Sequence, residues 1–138
     1  MRPSLVVDSS ALLAILLGEE DRNYYVDQLT QSAKRYLSAA NWLEASICVD
    51  AAGQPPLAYQ FDALVRQAAI CIVPVSVEQA TLARDAYRIF GKGNGHPAKL
   101  NFGDCFSYAL AKTQNDPLLF KGNDFLHTDL ELITQALP

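Results

Sequence analysis

The chain has 138 residues, half of them hydrophobic, and a net charge of −4, the size and composition of one globular domain spanning 1–138 that buries a core without staples. The acidic balance excludes broad electrostatic capture of nucleic acid, so any RNA contact must be local and rest on bound cations and a few basic residues. Asp8 interrupts the apolar run 5–17, no small-residue cleavage site follows, and no apolar stretch reaches the roughly 18 residues of a membrane span, so a soluble, cytoplasmic chain with no membrane partner is expected.

Leu5, Val6 and Val7 form a β-branched apolar run that stops at Asp8, after which Ala11, Leu12, Ile15 and Leu16 recur at helical spacing. Helical patterning resumes over 22–31, and 36–38 predicts a second short strand. A helix over 41–52 ends at Gly53 with Pro55 and Pro56 beyond it, and another follows over 57–68. The pattern then predicts a strand over 70–75, a helix over 78–90, a mobile glycine-rich loop over 91–99, a helix over 102–113, and short strands at 118–121 and 130–134. Strands alternating with helices imply βαβ units, hence an α/β fold with a short, mostly parallel central sheet flanked by helices. Cys48, Cys71 and Cys105 sit in apolar runs without CxxC spacing and are expected to be buried free thiols.

Four acids stand out in this framework. Asp8, Asp104 and Asp124 each fall at or near an expected helix start, Asp8 and Asp124 directly after a strand, where the loops of an open parallel sheet gather ligands. Any one of them alone is explained as an N-cap, and Asn101 with Asp104 has capping-box spacing. Glu44 shares a helical face with Ile47, Cys48 and Ala51, so it is expected to be paired with Arg or Lys, protonated, or bound to metal. Carboxylates gathered at one spot select Mg²⁺, with Mn²⁺ as a substitute, over zinc; such an ion lowers the pKa of a nucleophilic water and neutralises charge on a pentavalent phosphate.

Taken together, Val6-Val7-Asp8-Ser9-Ser10-Ala11-Leu12, the glutamate of Asn41-Trp42-Leu43-Glu44, Leu100-Asn101-Phe102-Gly103-Asp104-Cys105-Phe106-Ser107-Tyr108-Ala109 and Leu119-Phe120-Lys121-Gly122-Asn123-Asp124-Phe125 resemble the PIN-domain ribonucleases, specifically the VapC toxins of VapBC toxin–antitoxin modules. The resemblance covers essentially the whole chain. It implies a three-layer PIN-like fold, Mg²⁺-dependent endoribonuclease activity leaving 5′-phosphate and 3′-hydroxyl ends, a cognate VapB-like antitoxin and a homodimer. It also implies Asp8, Glu44, Asp104 and Asp124 as catalytic metal-binding acids, supported by the Ser10 hydroxyl. Many relatives carry two acids in the last motif and a threonine before them; here those places hold Gly122 and Phe120, leaving Asp124.

Other signals carry less. The 91–95 glycine loop follows a helix and lacks the Lys-Ser/Thr pair of a phosphate loop, although Lys92, His96 and Lys99 could approach an RNA backbone. Asp129 is expected to cap a last short helix. Two other functions stay open: a PIN-like binding module that pairs with an antitoxin but cleaves weakly or not at all, which the missing acid at Gly122 suggests, and a phosphotransfer domain. The second ranks low, because Ser9-Ser10 follows Asp8 where a dehalogenase-like phosphatase needs another Asp.

Overall fold

Leu5, Val6 and Val7 occupy the middle strand of a five-stranded sheet and are fully buried from both sides. The structure is a computed structural model that describes residues 2–135. Its elements are β1 (Arg2–Val7), α1 (Ser9–Leu16), α2 (Arg22–Gln31), β2 (Ser32–Ser38), α3 (Ala39–Ala51), α4 (Pro55–Gln67), β3 (Ile70–Val73), α5 (Val77–Phe90), α6 (Phe102–Gln114), β4 (Leu118–Leu119) and β5 (Leu132–Ile133). Strand order is β3-β2-β1-β4-β5 and every pairing is parallel, as the alternation of strands and helices requires.

The pleat of β1 sends Leu5 and Val7 into a core built with Leu12, Leu29, Val49 and Phe61 from α1–α4. Val6 points the other way, into a second core with Ala86 and Phe90 of α5 and Tyr108 and Leu110 of α6. The result is three layers, helices over both faces of one sheet. Among the described residues no helix is long and apolar enough to cross a membrane.

Several boundaries differ from the sequence reading. β2 begins four residues earlier than expected, because pairing with β1 (Arg2↔Ser32, Ser4↔Lys34) holds a polar segment extended that periodicity does not mark. β3 stops at Val73, since Pro74 has no amide hydrogen to continue a ladder. The 91–99 loop is closed at its base: Lys92 N donates to Leu100 O (2.9 Å), Leu100 N donates to Phe90 O (3.0 Å), and Asn94 Nδ2 donates to Tyr87 O (2.5 Å). Of the cysteines only Cys105 is buried; Cys48 on α3 and Cys71 on the edge strand β3 are exposed.

Progress across the sheet reverses at β1. The chain moves from β1 outward through β2 to β3, then returns to place β4 on the other side of β1. Such a reversal opens a crevice at the carboxyl ends of the two central strands. Asp8 is the first residue past β1 at that end, and its amide donates to Leu119 O of β4 (2.8 Å).

Candidate active site

Asp8 is buried, 4% exposed, and N-caps α1. Hydroxyls hold both of its carboxylate oxygens. Oδ2 accepts from Ser10 Oγ (2.6 Å) and Ser10 N (3.1 Å), and Oδ1 accepts from Ser107 Oγ (2.5 Å), reaching across from α6. Ser10 Oγ in turn accepts from Lys121 N (2.9 Å), which ties the residues after β4 to the same point. Lys121 Nζ forms ion pairs with Glu19 and with Asp21 (3.0 Å), fastening that segment to the α1–α2 connection.

Asp104 sits in the first turn of α6 and completes the capping box foreseen from spacing: Asp104 N donates to Asn101 Oδ1 (2.8 Å) and Asn101 N donates to Asp104 Oδ2 (3.0 Å). The bond from the Asn101 amide favours the ionised form. Burial outweighs that bond, and with the nearby charges of Asp8 and Asp124 it pushes the Asp104 carboxyl up to about 8. Glu44 is raised too, by burial first and then by Asp8. Its carboxylate lies directly over Gly103: a methyl group there would stand 2.6 Å from both Glu44 oxygens. Asp8 therefore bears on both Glu44 and Asp104, and Asp124 on Asp104. Among the described residues none of them pairs with Lys or Arg, and no three acids, thiols or imidazoles form a ready-made ion cage.

Hard, anionic oxygens gathered without counter-charge at the carboxyl end of a parallel sheet suit a divalent cation of the Mg²⁺ class, for which they would supply both ligands and neutralisation. Residues 5–131 match the PIN domain. The chain belongs to the PIN-domain family. This PIN domain is 49% identical to Ribonuclease VapC28 of Mycobacterium tuberculosis over 127 residues, 92% of this chain and 96% of that protein. It is 44% identical to Ribonuclease VapC30 of the same organism over 134 residues, 97% of this chain and 100% of the other. Among solved structures it resembles the Mycobacterium tuberculosis toxin VapC20 with a TM-score of 0.73 at 13% identity, covering 91% of this chain and 95% of that one. A toxin–antitoxin complex from Klebsiella pneumoniae matches with a TM-score of 0.69 at 14% identity, over 94% and 96%. At such identities these two structures speak for the fold alone.

The PIN-domain structure corrects three expectations about site residues. Glu44 is not on the core face of α3: Asn41, Ala45 and Val49 are buried, whereas Leu43 (53%), Glu44, Ile47 (58%) and Cys48 are exposed. The stripe around Glu44 is apolar but lines a cleft with Phe102 and Phe106 instead of the core. Asp124 does not begin a helix. It is exposed in a turn five residues past β4, where Gly122 adopts φ +105°, a conformation that a side-chain-bearing acid at that position would strain. Asp129 caps no helix either; it accepts from Tyr108 Oη (2.7 Å) and pairs with Lys112 (2.7 Å).

Gly103, Asn41 and Ser107 escaped the sequence reading. A signal was present: Asn41 and Ser107 each stand three positions, within one helical turn, from a site acid, Glu44 and Asp104.

Proposed function

We propose that this PIN domain is a Mg²⁺-dependent endoribonuclease and the toxin of a VapBC module, with Asp8, Glu44, Asp104 and Asp124 holding the metal and Ser10 supporting Asp8; Mn²⁺ would substitute. The observation that carries the reading is that Asp8 and Asp124 add to burial in raising the Asp104 carboxyl, and Asp8 in raising Glu44, so that acids from four separate segments meet with no cation among them. The names of the relatives, ribonucleases at 44–49% identity over nearly the whole chain, support it.

The bound ion supplies the positive charge and the acidity that hydrolysis of a phosphodiester needs. The chain supplies orientation. Asp8 is aimed by serines on both oxygens, Asp104 keeps one oxygen on the Asn101 amide, and Glu44 lies over Gly103 in the first turn of α6. Because the chain is acidic, RNA recognition is local, and without metal these carboxylates repel the phosphate. Cleavage of a labelled RNA pool should require Mg²⁺, stop in EDTA and leave 5′-phosphate and 3′-hydroxyl ends. Full cleavage in EDTA contradicts the reading.

A cognate VapB-like antitoxin is the proposed partner, inhibiting through an arginine whose planar fork matches carboxylates and competes with the ion. Cleavage that persists undiminished in the saturated complex contradicts that. A homodimer belongs to the same reading, supported by the exposed apolar side chains of Leu43, Ile47, Phe102 and Tyr87, which line two neighbouring clefts that share Phe102. Gly122 in place of an acid favours one second reading, an antitoxin-binding PIN domain with weak cleavage, which the same RNA assay decides.

A further inference from the structure

Two fully buried polar residues sit behind the acids and touch no solvent: Ser107 at 0% exposure and Asn41 at 1%. They form one connected path. Asn41 Nδ2 donates to Gly103 O (2.9 Å), the carbonyl of the residue over which the Glu44 carboxylate lies. That bond fixes the amide and presents Asn41 Oδ1 to Ser107 Oγ at 3.1 Å. Ser107 Oγ stands 2.5 Å from Asp8 Oδ1 on its other side. The hydroxyl has one hydrogen and two acceptors in fixed places, so it donates to Asp8 Oδ1, the charged one, and Asn41 Oδ1 stands as its alternative acceptor.

Each link joins a different element of the site. Asn41 lies one helical turn before Glu44 on α3, Ser107 one turn after Asp104 on α6, and Asp8 ends β1. A merely structural buried pair would need only to satisfy its own hydrogen bonds. This one directs its outermost donor at an acid of the site.

We propose that Ser107 and Asn41 are positioning residues for metal binding: the path from Gly103 O through Asn41 and Ser107 to Asp8 Oδ1 fixes the rotation of the Asp8 carboxylate and sets α3 against α6, so that Glu44 and Asp104 face the same ion. The inference rests on the metal-binding reading of Asp8 given above. Neither residue touches the ion or the RNA. Ser10 holds Oδ2 through its hydroxyl and its amide and Ser107 holds Oδ1 through one hydroxyl, which leaves Oδ1 a lone pair for a cation and removes the carboxylate's freedom to turn.

The test is Mn²⁺ affinity of the full-length, metal-free protein, measured by electron paramagnetic resonance without RNA, with thermal melts alongside. Ser107→Ala should weaken Mn²⁺ binding about tenfold to hundredfold, the usual effect of removing a group that orients a ligand. Asn41→Ala should weaken it less. The double variant should lose less than the product of the two single losses, because Asn41 acts in part through the Ser107 contact with Asp8; losses that multiply in full overturn the path. Asp8→Asn serves as the reference. If Asp8→Asn abolishes binding while Ser107→Ala binds as wild type, the positioning role is wrong and the metal site stands. If Asp8→Asn binds as wild type, the metal site itself is wrong. Should Ser107→Ala fail to melt cooperatively, Asn41→Ala decides: unchanged affinity overturns the proposal.

Discussion

The Asp104 carboxyl is pushed up from 3.8 to about 8, by burial first and then by Asp8 and Asp124. A folded value above the unfolded one means that this group supports the fold fully below about pH 4 and withdraws its support as the pH rises through 8. Melting temperatures in EDTA should therefore fall across that window for the wild type and fall less for Asp104→Asn, the two converging in acid. Mg²⁺ should raise the wild-type melting temperature, as an ion that binds only the folded state does, and leave the variant unmoved. A flat wild-type profile would contradict the mutual repulsion of the acids. Gly103→Ala separates site from fold. The new methyl would lie 2.6 Å from both Glu44 oxygens, but Glu44 is an exposed, flexible side chain that can swing aside, and alanine suits a helix better than glycine by about 1 kcal/mol. The variant should melt at or above the wild-type temperature while RNA cleavage falls at least tenfold; unchanged cleavage would mean that the place of Glu44 over Gly103 does not matter.

At the scale of elements, α6 delivers Asp104 through its amino-terminal cap. Asn101→Ala removes the side chain that accepts from the Asp104 amide and should cost about 1 kcal/mol, read as a lower urea midpoint at unchanged slope. That cap was legible in the sequence because Asn101 and Asp104 signal it within four residues. So was β1 ending at Asp8, where an apolar run meets a carboxylate, and the parallel sheet followed from the alternation of elements. The face of α3 was not legible. Its helix carries two apolar stripes, Leu43-Ile47 and Ala45-Val49, and only packing against α1 and α4 decides that the smaller one is buried. Asp124 was misplaced for a related reason: the Gly122 turn is set by its backbone, which leaves no periodic mark. Asn41 and Ser107 were overlooked because their meaning lies in meeting each other across two helices 66 residues apart in the chain.

For the whole molecule, the reversal of strand order at β1 gathers residues from the beginning, middle and end of the chain at one crevice, and the apolar cleft bordered by Glu44 opens beside it. If that apolar surface joins two copies, sedimentation velocity should show a dimer for the wild type and a monomer for Ile47→Glu, which places a charge in the apolar stripe; a wild-type monomer at high concentration would contradict the homodimer. The central claim is that four acids from four segments make one metal-dependent centre for cutting RNA. Single-turnover cleavage of one labelled RNA in saturating Mg²⁺ by Asp8→Asn, Glu44→Gln, Asp104→Asn and Asp124→Asn, each first shown to melt cooperatively, tests it most directly. The prediction is a loss of orders of magnitude for Asp8→Asn, Glu44→Gln and Asp104→Asn, and a marked loss for the exposed Asp124→Asn; wild-type rates in folded Asp8→Asn or Asp104→Asn would contradict it.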